Sequence, residues 1–416
     1  MEAVDARLSL RKLDAEQAAL CERIATLTPD EREAPSNLAN WSVNNFVSFR
    51  GGYQLANRAP NVAELFTGPT VTVASFPLSD PCATTTLAPW GNVASNPKRA
   101  QVQALCAALN RTGTSVFDQD PNGFIGGNGG YFPLELENRR GNTDLKSEEA
   151  KTITIGAVLR SPFEHALASN ITAAIDYYSI KIDDAITPLP STTVYENCFN
   201  VNGTSNPTYS LNDPGGFCAL IKRDGITGGR VSVDAPYFNL GAIETDGLDL
   251  QFNWRANMAD MGLPSVPGAL AVGLQVSYLL SYKTQAIPNG IFNHNEGTFA
   301  QGGQYEYTSM MNVAYALRDW NVGINWRHLP SVRNAAYATN PTTTIQGAGS
   351  YSLFDLSASL NVTQTVALRL GIDNLFNRDP EIYGANPGVT NARGSTQPGF
   401  YDVLGRRAYV GVKLNF

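Results

Sequence analysis

Cysteines, histidines and one Asp- and Asn-rich stretch are the residues here that could do covalent or metal chemistry. There are five cysteines. Cys82 and Cys106 share one turn-rich stretch, Cys198 and Cys218 share another, and Cys21 stands apart near the amino terminus. Four cysteines allow three connectivities, so spacing alone leaves the pairing open. Asp118, Asp120 and Asn122, followed by Gly123, match the opening of a calcium loop. The twelfth position is Gly129 rather than a bidentate Glu, which excludes an EF-hand and leaves an Asx- and Gly-rich turn. His165, His294 and His328 lie far apart, without zinc-site spacing. No G-x-S-x-G elbow presents a serine, and the glycines at 126–130 lack the Lys-Ser/Thr of a phosphate loop. The expectation is no catalytic residue, no resident metal and no cofactor.

Composition narrows the class. Hydrophobic residues make up 43%, aromatics 10% and charged residues only 16%, against about 25% charged in an ordinary soluble domain. Disorder is excluded by the aromatic content. The net charge of −7 and pI of about 5.1 argue against nucleic acid as a partner. No apolar run reaches the roughly 20 residues of a membrane helix. A mean hydropathy of −0.18 suits either a soluble β protein or a membrane β-barrel, whose strands are each half apolar.

The elements that must position any site read as strands. Residues 5–33 carry Leu10, Leu13, Leu20, Ile24 and Leu27 at helical spacing, so 1–40 is expected to be a short helical or irregular head. From Trp41 the period becomes two. Leu270, Val272, Leu274, Val276, Tyr278, Leu280 and Tyr282 form one face, with Ala271, Gly273, Gln275 and Ser277 on the other. Leu248 to Trp254, Trp320 to Trp326, Phe354 to Val362 and Leu368 to Ile372 repeat the pattern. Ten strands are expected, near 45–58, 146–159, 170–182, 238–255, 268–282, 304–317, 320–329, 350–362, 366–376 and 405–416. Their connections are alternately short and long, the asymmetry of outer-membrane barrels. Trp254, Tyr278, Tyr282, Trp320 and Trp326 near strand ends suit interfacial girdles. Arg50, Asp249, Arg255, Arg327, Asp355, Arg369 and Asp373 fall on the polar face and are expected to line the lumen. Arg on the lipid face would cost about 2–4 kcal/mol at the midplane. Ala408, Val410, Val412, Leu414 and Phe416 form a last apolar face that ends on an aromatic residue.

Four segments resemble the TonB-dependent outer-membrane receptor family. The first runs from Phe49 through Asn57-Arg58-Ala59-Pro60-Asn61 to Glu64-Leu65-Phe66. The second is Gly141-Asn142-Thr143-Asp144-Leu145-Lys146-Ser147-Glu148-Glu149, with Thr143 and Ser147 where the family has proline. The third is Asn374-Leu375-Phe376 with Pro380. The fourth is 401–416, whose Tyr409, Leu414 and Phe416 resemble the signal read by the barrel-assembly machinery.

The resemblance implies an all-β, antiparallel transmembrane barrel of the 22-strand type with a plugged lumen, of which this chain holds about ten strands with long extracellular loops. It implies energised uptake of a scarce nutrient, such as a siderophore, a vitamin or an oligosaccharide, with no bond made or broken. Outer-membrane lipid, the assembly machinery, the TonB system and a small-molecule ligand are the implied partners. Residues 41–416 match the carboxy-terminal barrel. No signal peptide, TonB-contacting box or plug is recognised before them, so a truncated form is expected. In extracellular loops the local bridges Cys82–Cys106 and Cys198–Cys218 are favoured, each contributing roughly 3 kcal/mol. Two alternatives stand beside this reading. One is a stand-alone ten-stranded outer-membrane protease, with His294 and His328 as its candidates. The other is a soluble adhesin-like β domain.

Overall fold

The computed structural model describes residues 36–76, 80–83, 86, 88–109, 134–225, 228–239, 241–285, 287, 292–298, 305–334, 347–381, 396 and 399–414. The expected helical head with Cys21, the Asp118–Gly123 loop, the glycines at 126–130 and Phe416 lie outside these residues.

Strands β1 (Ser36–Ser42) and β2 (Val47–Arg58) open the main sheet. The chain then leaves it for α1 (Val62–Phe66), β3 (Thr70–Ser75), α2 (Arg99–Leu109) and β4 (Leu134–Arg140), and returns as β5 (Glu148–Arg160) and β6 (Ile171–Asp183). A second excursion holds β7 (Ile186–Pro188), α3 (Ser191–Cys198), α4 (Phe217–Leu220), β8 (Ile221–Arg223) and β9 (Arg230–Asn239). The sheet resumes with β10 (Ala242–Asn257) and β11 (Ala269–Gln285), to which β12 (Phe292–His294) adds a short flap. It continues through β13 (Tyr307–Leu317) and β14 (Trp320–Leu329). A small β15 (Val332–Arg333) and β16 (Gly347–Ala348) ribbon follows, then β17 (Tyr351–Asn361), β18 (Val366–Asp373) and β19 (Arg407–Leu414). In space the order is β1-β2-β5-β6-β10-β11-β13-β14-β17-β18-β19, every neighbour antiparallel. Among the described residues β1 and β19 each pair on one side only.

Among the described residues the path holds eleven strands, one more than the ten expected, because the sheet includes Ser36–Ser42, mostly inside the segment read as a head. In β1, Asn37 shares a face with Trp41, and Asn40 with Leu38, so neither face is uniformly apolar and the two-residue period is hidden. A second correction concerns Tyr282. A bulge in the β10–β11 ladder sets Asp246 against Ser281 but Gly247 against Leu279. The extra residue turns Tyr282 away from the apolar face and sets it opposite Thr245.

Apolar side chains of one face stay exposed across the sheet: Ile155, Leu250, Ile324, Leu360, Leu370 and Val410. A lipid-facing surface requires this. Aromatic residues bracket that band. At the short-turn end, Trp254 Nε1 donates to Leu167 O at 2.7 Å, and Tyr315 meets Trp320 edge-on at 5.6 Å. At the other end, Tyr278 stacks on Tyr307 and Trp326 on Phe354, each pair at 6.4 Å. Beyond this outer belt the same face becomes charged. Lys151 reaches Asp183 at 3.5 Å and Lys181 reaches Glu244 at 3.7 Å. No helix among the described residues is long and apolar enough to cross a membrane.

Ile324→Arg, midway between the two aromatic belts, should cost about 2–4 kcal/mol, whereas Asn325→Arg on the opposite face should cost far less. Equilibrium unfolding of the chain in lipid vesicles measures both.

Candidate functional site

The polar face carries a continuous row. Register aligns Asn40, Arg50, Gly156, Asp176, Asp249 and Ser277 across six strands. Gly156 is the gap in this row: a Cβ there would lie 1.9 Å from Asp176 Oδ1. Without one, Arg50 reaches over β5, its Nε donating to Asp176 Oδ1 at 2.6 Å. Asp249 stands directly opposite Asp176. A cleft of about 630 Å3 opens over this row. Arg327 meets Asp355 at 3.3 Å and Asp373 meets Arg407 at 3.4 Å. Arg255 and Arg369 lie on the same face without an ion pair among the described residues. Asp176 was not singled out in the sequence, because Ala173-Ala174-Ile175 beside it blurs the alternation. Only the register reveals it.

The family-like segments meet in two corners at the long-loop end of the sheet. In the first, Asn61 caps α1: its Oδ1 accepts from Glu64 N at 2.9 Å, while Glu64 Oε2 accepts from Asn61 N at 2.8 Å. Arg58 Nη1 donates to both Glu64 oxygens at 3.0 Å, and its Nε donates to Glu148 at 2.5 Å. Glu148 Oε1 in turn accepts from Ile186 N at 2.7 Å. Asn142 donates from its backbone to Glu64 O at 2.9 Å and from its side chain to Tyr237 O at 2.9 Å. Leu65 is buried. Asn57 and Leu145 flank this corner, while Ala59 and Pro60 form the turn into α1.

In the second corner Asn374 adopts φ 50°, a left-handed conformation that Asn tolerates. Its N–H donates to Asp355 Oδ1 at 2.9 Å and its Nδ2 to Asp402 Oδ2 at 3.0 Å. Its Oδ1 accepts from Arg378 N at 2.7 Å. Leu375 N donates to Phe354 O at 2.7 Å, and Phe376 meets Phe354 edge-on at 5.3 Å. Pro380 follows in the loop. Tyr409 lies opposite Gly371 and Leu414 opposite Val366 in the final ladder.

The first two excursions, read from sequence as long extracellular loops, are built differently. They fold together into an outer domain with its own sheet, ordered β3-β4-β9-β7 with β8 beside β9. Disulfides join Cys82 to Cys106 and Cys198 to Cys218, with Cα separations of 5.7 and 4.8 Å. The core holds Phe76, Val102, Leu105, Val194, Tyr195 and Phe199 with the four half-cystines. Val102, Leu105 and Cys106 follow the three-and-four spacing of α2, the local signal that could have announced this core; its other members are scattered between polar runs.

Two buried ion pairs cross from one excursion to the other. Arg223 grips Asp80 with both ends of its fork, at 2.7 and 2.8 Å, the side chains only 2% and 4% exposed. Arg230 Nη1 donates to Glu135 at 2.8 Å and lies over the Phe76 ring, 5.1 Å from its centroid. Tyr195 OH donates to the same Glu135 oxygen at 3.2 Å. Burial pushes the Asp80 carboxyl up, but the Arg223 guanidinium overrides it and holds the group below its ordinary 3.8. At Glu135 burial dominates, so the carboxyl rises above its ordinary value although Arg230 and Tyr195 pull it down. Burial, and then Glu135, push the Tyr195 hydroxyl well up. It stays neutral, a donor to Glu135.

His294 pairs with Glu296 at 3.5 Å on an exposed flap. His328 bonds Ser352 Oγ at 2.9 Å and Tyr307 OH at 3.3 Å, against Trp326. Among the described residues neither pairs with an Asp. Among the described residues no three His, Cys, Asp or Glu side chains are grouped to hold a metal ion.

A meander with one lipid-facing and one polar face, girdled by aromatics and capped at its long-loop end, is the wall of an outer-membrane-type β-barrel. The family model for the β-barrel of TonB-dependent receptor-like proteins matches residues 28–375. The chain belongs to that family. No match is found among curated proteins. Among solved structures, a mutant of the ferric enterobactin receptor PfeA from Pseudomonas aeruginosa is 13% identical with a TM-score of 0.51, covering 92% of this chain and 40% of its own. Another PfeA mutant, in complex with enterobactin, is 14% identical with a TM-score of 0.52 and the same coverage. The siderophore receptor PirA from Acinetobacter baumannii is 12% identical with a TM-score of 0.48, covering 92% of this chain and 41% of its own. The chain thus spans about 40% of the PfeA receptor's length, and identities this low speak to fold alone.

Asp80→Asn leaves Arg223 buried without its counter-charge and should cost about 3–5 kcal/mol, most of it recovered in the paired Asp80→Val, Arg223→Met variant. Thermal unfolding followed by near-ultraviolet circular dichroism reads this out. The lowered Asp80 value contributes stability above the unfolded value near 3.8, and that stability is lost as pH falls through the folded value. Acid titration of the outer domain should therefore show a destabilising slope below about pH 4 that the paired variant lacks.

Proposed function

We propose that this chain forms part of the wall and the outer domain of an outer-membrane receptor that takes up a scarce small-molecule nutrient, driven through TonB. The carrying observation is the family match over 28–375 on a sheet whose polar face bears ion pairs and whose long-loop end carries a stapled domain. Polar side chains such as Arg50, Asp176 and Asp249 line the lumen in this reading, and the outer domain meets the ligand first. The solved PfeA complex with enterobactin makes a siderophore one ligand class to test, alongside a vitamin and an oligosaccharide. The single-sided pairing of β1 and β19 supports completion of the wall by further strands, since each unpaired backbone group in lipid costs several kcal/mol. The receptor carries cargo and performs no covalent step.

Cells lacking the gene should lose uptake of one labelled nutrient from a panel of ferric siderophores, cobalamin and oligosaccharides. Collapsing the proton-motive force in intact cells should have the same effect. The chain should fractionate with the outer membrane. Recovery in the soluble fraction without detergent would overturn the reading in favour of a soluble β domain, and uptake unchanged across the panel would overturn the transport role.

A further inference from the structure

The outer domain carries a second cleft, distinct from the polar face of the wall. It measures about 470 Å3, within the roughly 300–1,000 Å3 of small-ligand sites. Its floor is apolar: Leu189, Phe217, Leu220, Phe238 and Ile287. The floor is continuous with the domain core, against which Phe217, Leu220, Phe238 and Ile287 pack. Its rim is made of neutral hydrogen-bonding groups: Asn197, Asn202, Thr204 and Ser205. Among the described residues no Asp, Glu, Lys or Arg lines it. Gly215 lets the Phe217 ring fold back at the edge of the cleft, since a Cβ there would lie 2.2 Å from that ring.

Several rim groups retain unused capacity. Asn197 is buried, and its Nδ2 donates to Thr193 O at 2.8 Å. Among the described residues its Oδ1 receives only a long 3.5 Å contact from Asn202 Nδ2, a weak bond at that distance. Asn202 Oδ1 is occupied by the backbone N–H groups of Thr204 and Ser205 at 3.0 and 2.9 Å, which fixes the Asn202 side chain at the rim. Its Nδ2 makes only that long contact to Asn197 among the described residues. The Thr204 hydroxyl has no hydrogen bond among the described residues.

We infer that this cleft binds a neutral saccharide. An apolar floor ringed by amides and hydroxyls matches a pyranose, which presents C–H groups on its faces and hydroxyls around its edge. A purely apolar ligand would leave the Asn197 and Thr204 acceptors dry and unpaired, which costs free energy. An anion would find no cation among the described residues of the lining. The inference rests on the outer domain facing the exterior, as proposed above, but not on transport: capture at this cleft is an equilibrium property of the purified chain.

The test is calorimetric titration of the full chain in an amine-oxide detergent, which carries no sugar, with maltose, cellobiose and methyl β-D-glucopyranoside. Glucuronate serves as the charged contrast and cyclohexanol as the apolar one. Saturable binding of at least one neutral saccharide, weaker for both contrasts, is the expected result. Combined Asn202→Ala and Thr204→Val should weaken it about tenfold, the loss of one or two neutral hydrogen bonds, with the near-ultraviolet spectrum unchanged. A parallel titration with lipopolysaccharide vesicles separates the sources: binding there assigns a cell-surface glycan, and binding only to the free sugars assigns a soluble one. The inference is overturned if no neutral saccharide binds saturably, if cyclohexanol or glucuronate binds as well, or if the double variant binds unchanged. An uptake defect without saccharide binding would sink this site and leave the transport role standing. Binding without any uptake would do the reverse.

Discussion

Inside a bilayer a peptide group has no water to turn to, and that constraint organises this molecule. Every N–H and C=O in the spanning strands must find its partner on the next strand. The simplest way to guarantee this is a meander in which each strand pairs with its sequence neighbour, and that is the topology observed. Both large departures from it, at 59–147 and 184–241, occur at one end of the sheet, beyond the outer aromatic belt, where water is again available. The α-helices, the parallel pair between β4 and β9 and the buried ion pairs described above lie on that side.

The outer domain solves a different problem. Its two halves are separated in sequence by two spanning strands, and neither disulfide links them: Cys82–Cys106 closes a loop within the first half and Cys198–Cys218 within the second. What joins the halves is the shared sheet, the common core, and the crossing pairs Asp80–Arg223 and Glu135–Arg230. Buried ion pairs add little net stability compared with apolar replacements, but removing one partner leaves an uncompensated buried charge. Each pair ties a residue of one half to a residue of the other, while the disulfides restrict each half's unfolded freedom. The Arg58–Glu64–Glu148 corner then fixes the base of the domain to β2 and β5.

Much of the wall was legible in the sequence, because a strand between lipid and a polar interior must alternate, and alternation survives in Leu248–Trp254 or Trp320–Trp326 without any knowledge of partners. Where side chains mix, as in Ser36–Ser42, the signal vanishes although the strand does not. The bulge at Asp246/Gly247 was equally invisible, since it depends on how two strands are cut to fit. The site was legible only in fragments. Arg58, Glu64 and Glu148 stood out as members of separate motifs, yet their meeting is a tertiary fact. Asp176 gained meaning only when register set it beside Asp249 and beyond Gly156. The pairing of Asp80 with Arg223, 143 positions away, leaves no local trace at all.

One property of the main sheet follows from arithmetic on its topology. Eleven described strands, each reversing the last, leave the first and the last of them pointing the same way. β1 and β19 both descend from the loop end toward the short-turn end. Rolled into a cylinder, this sheet could meet itself only along a parallel seam, with slanted and slightly weaker hydrogen bonds. Two copies set side by side in the same orientation would meet along the same kind of seam. An antiparallel closure instead calls for an odd number of intervening strands, the first of which ascends beside β1.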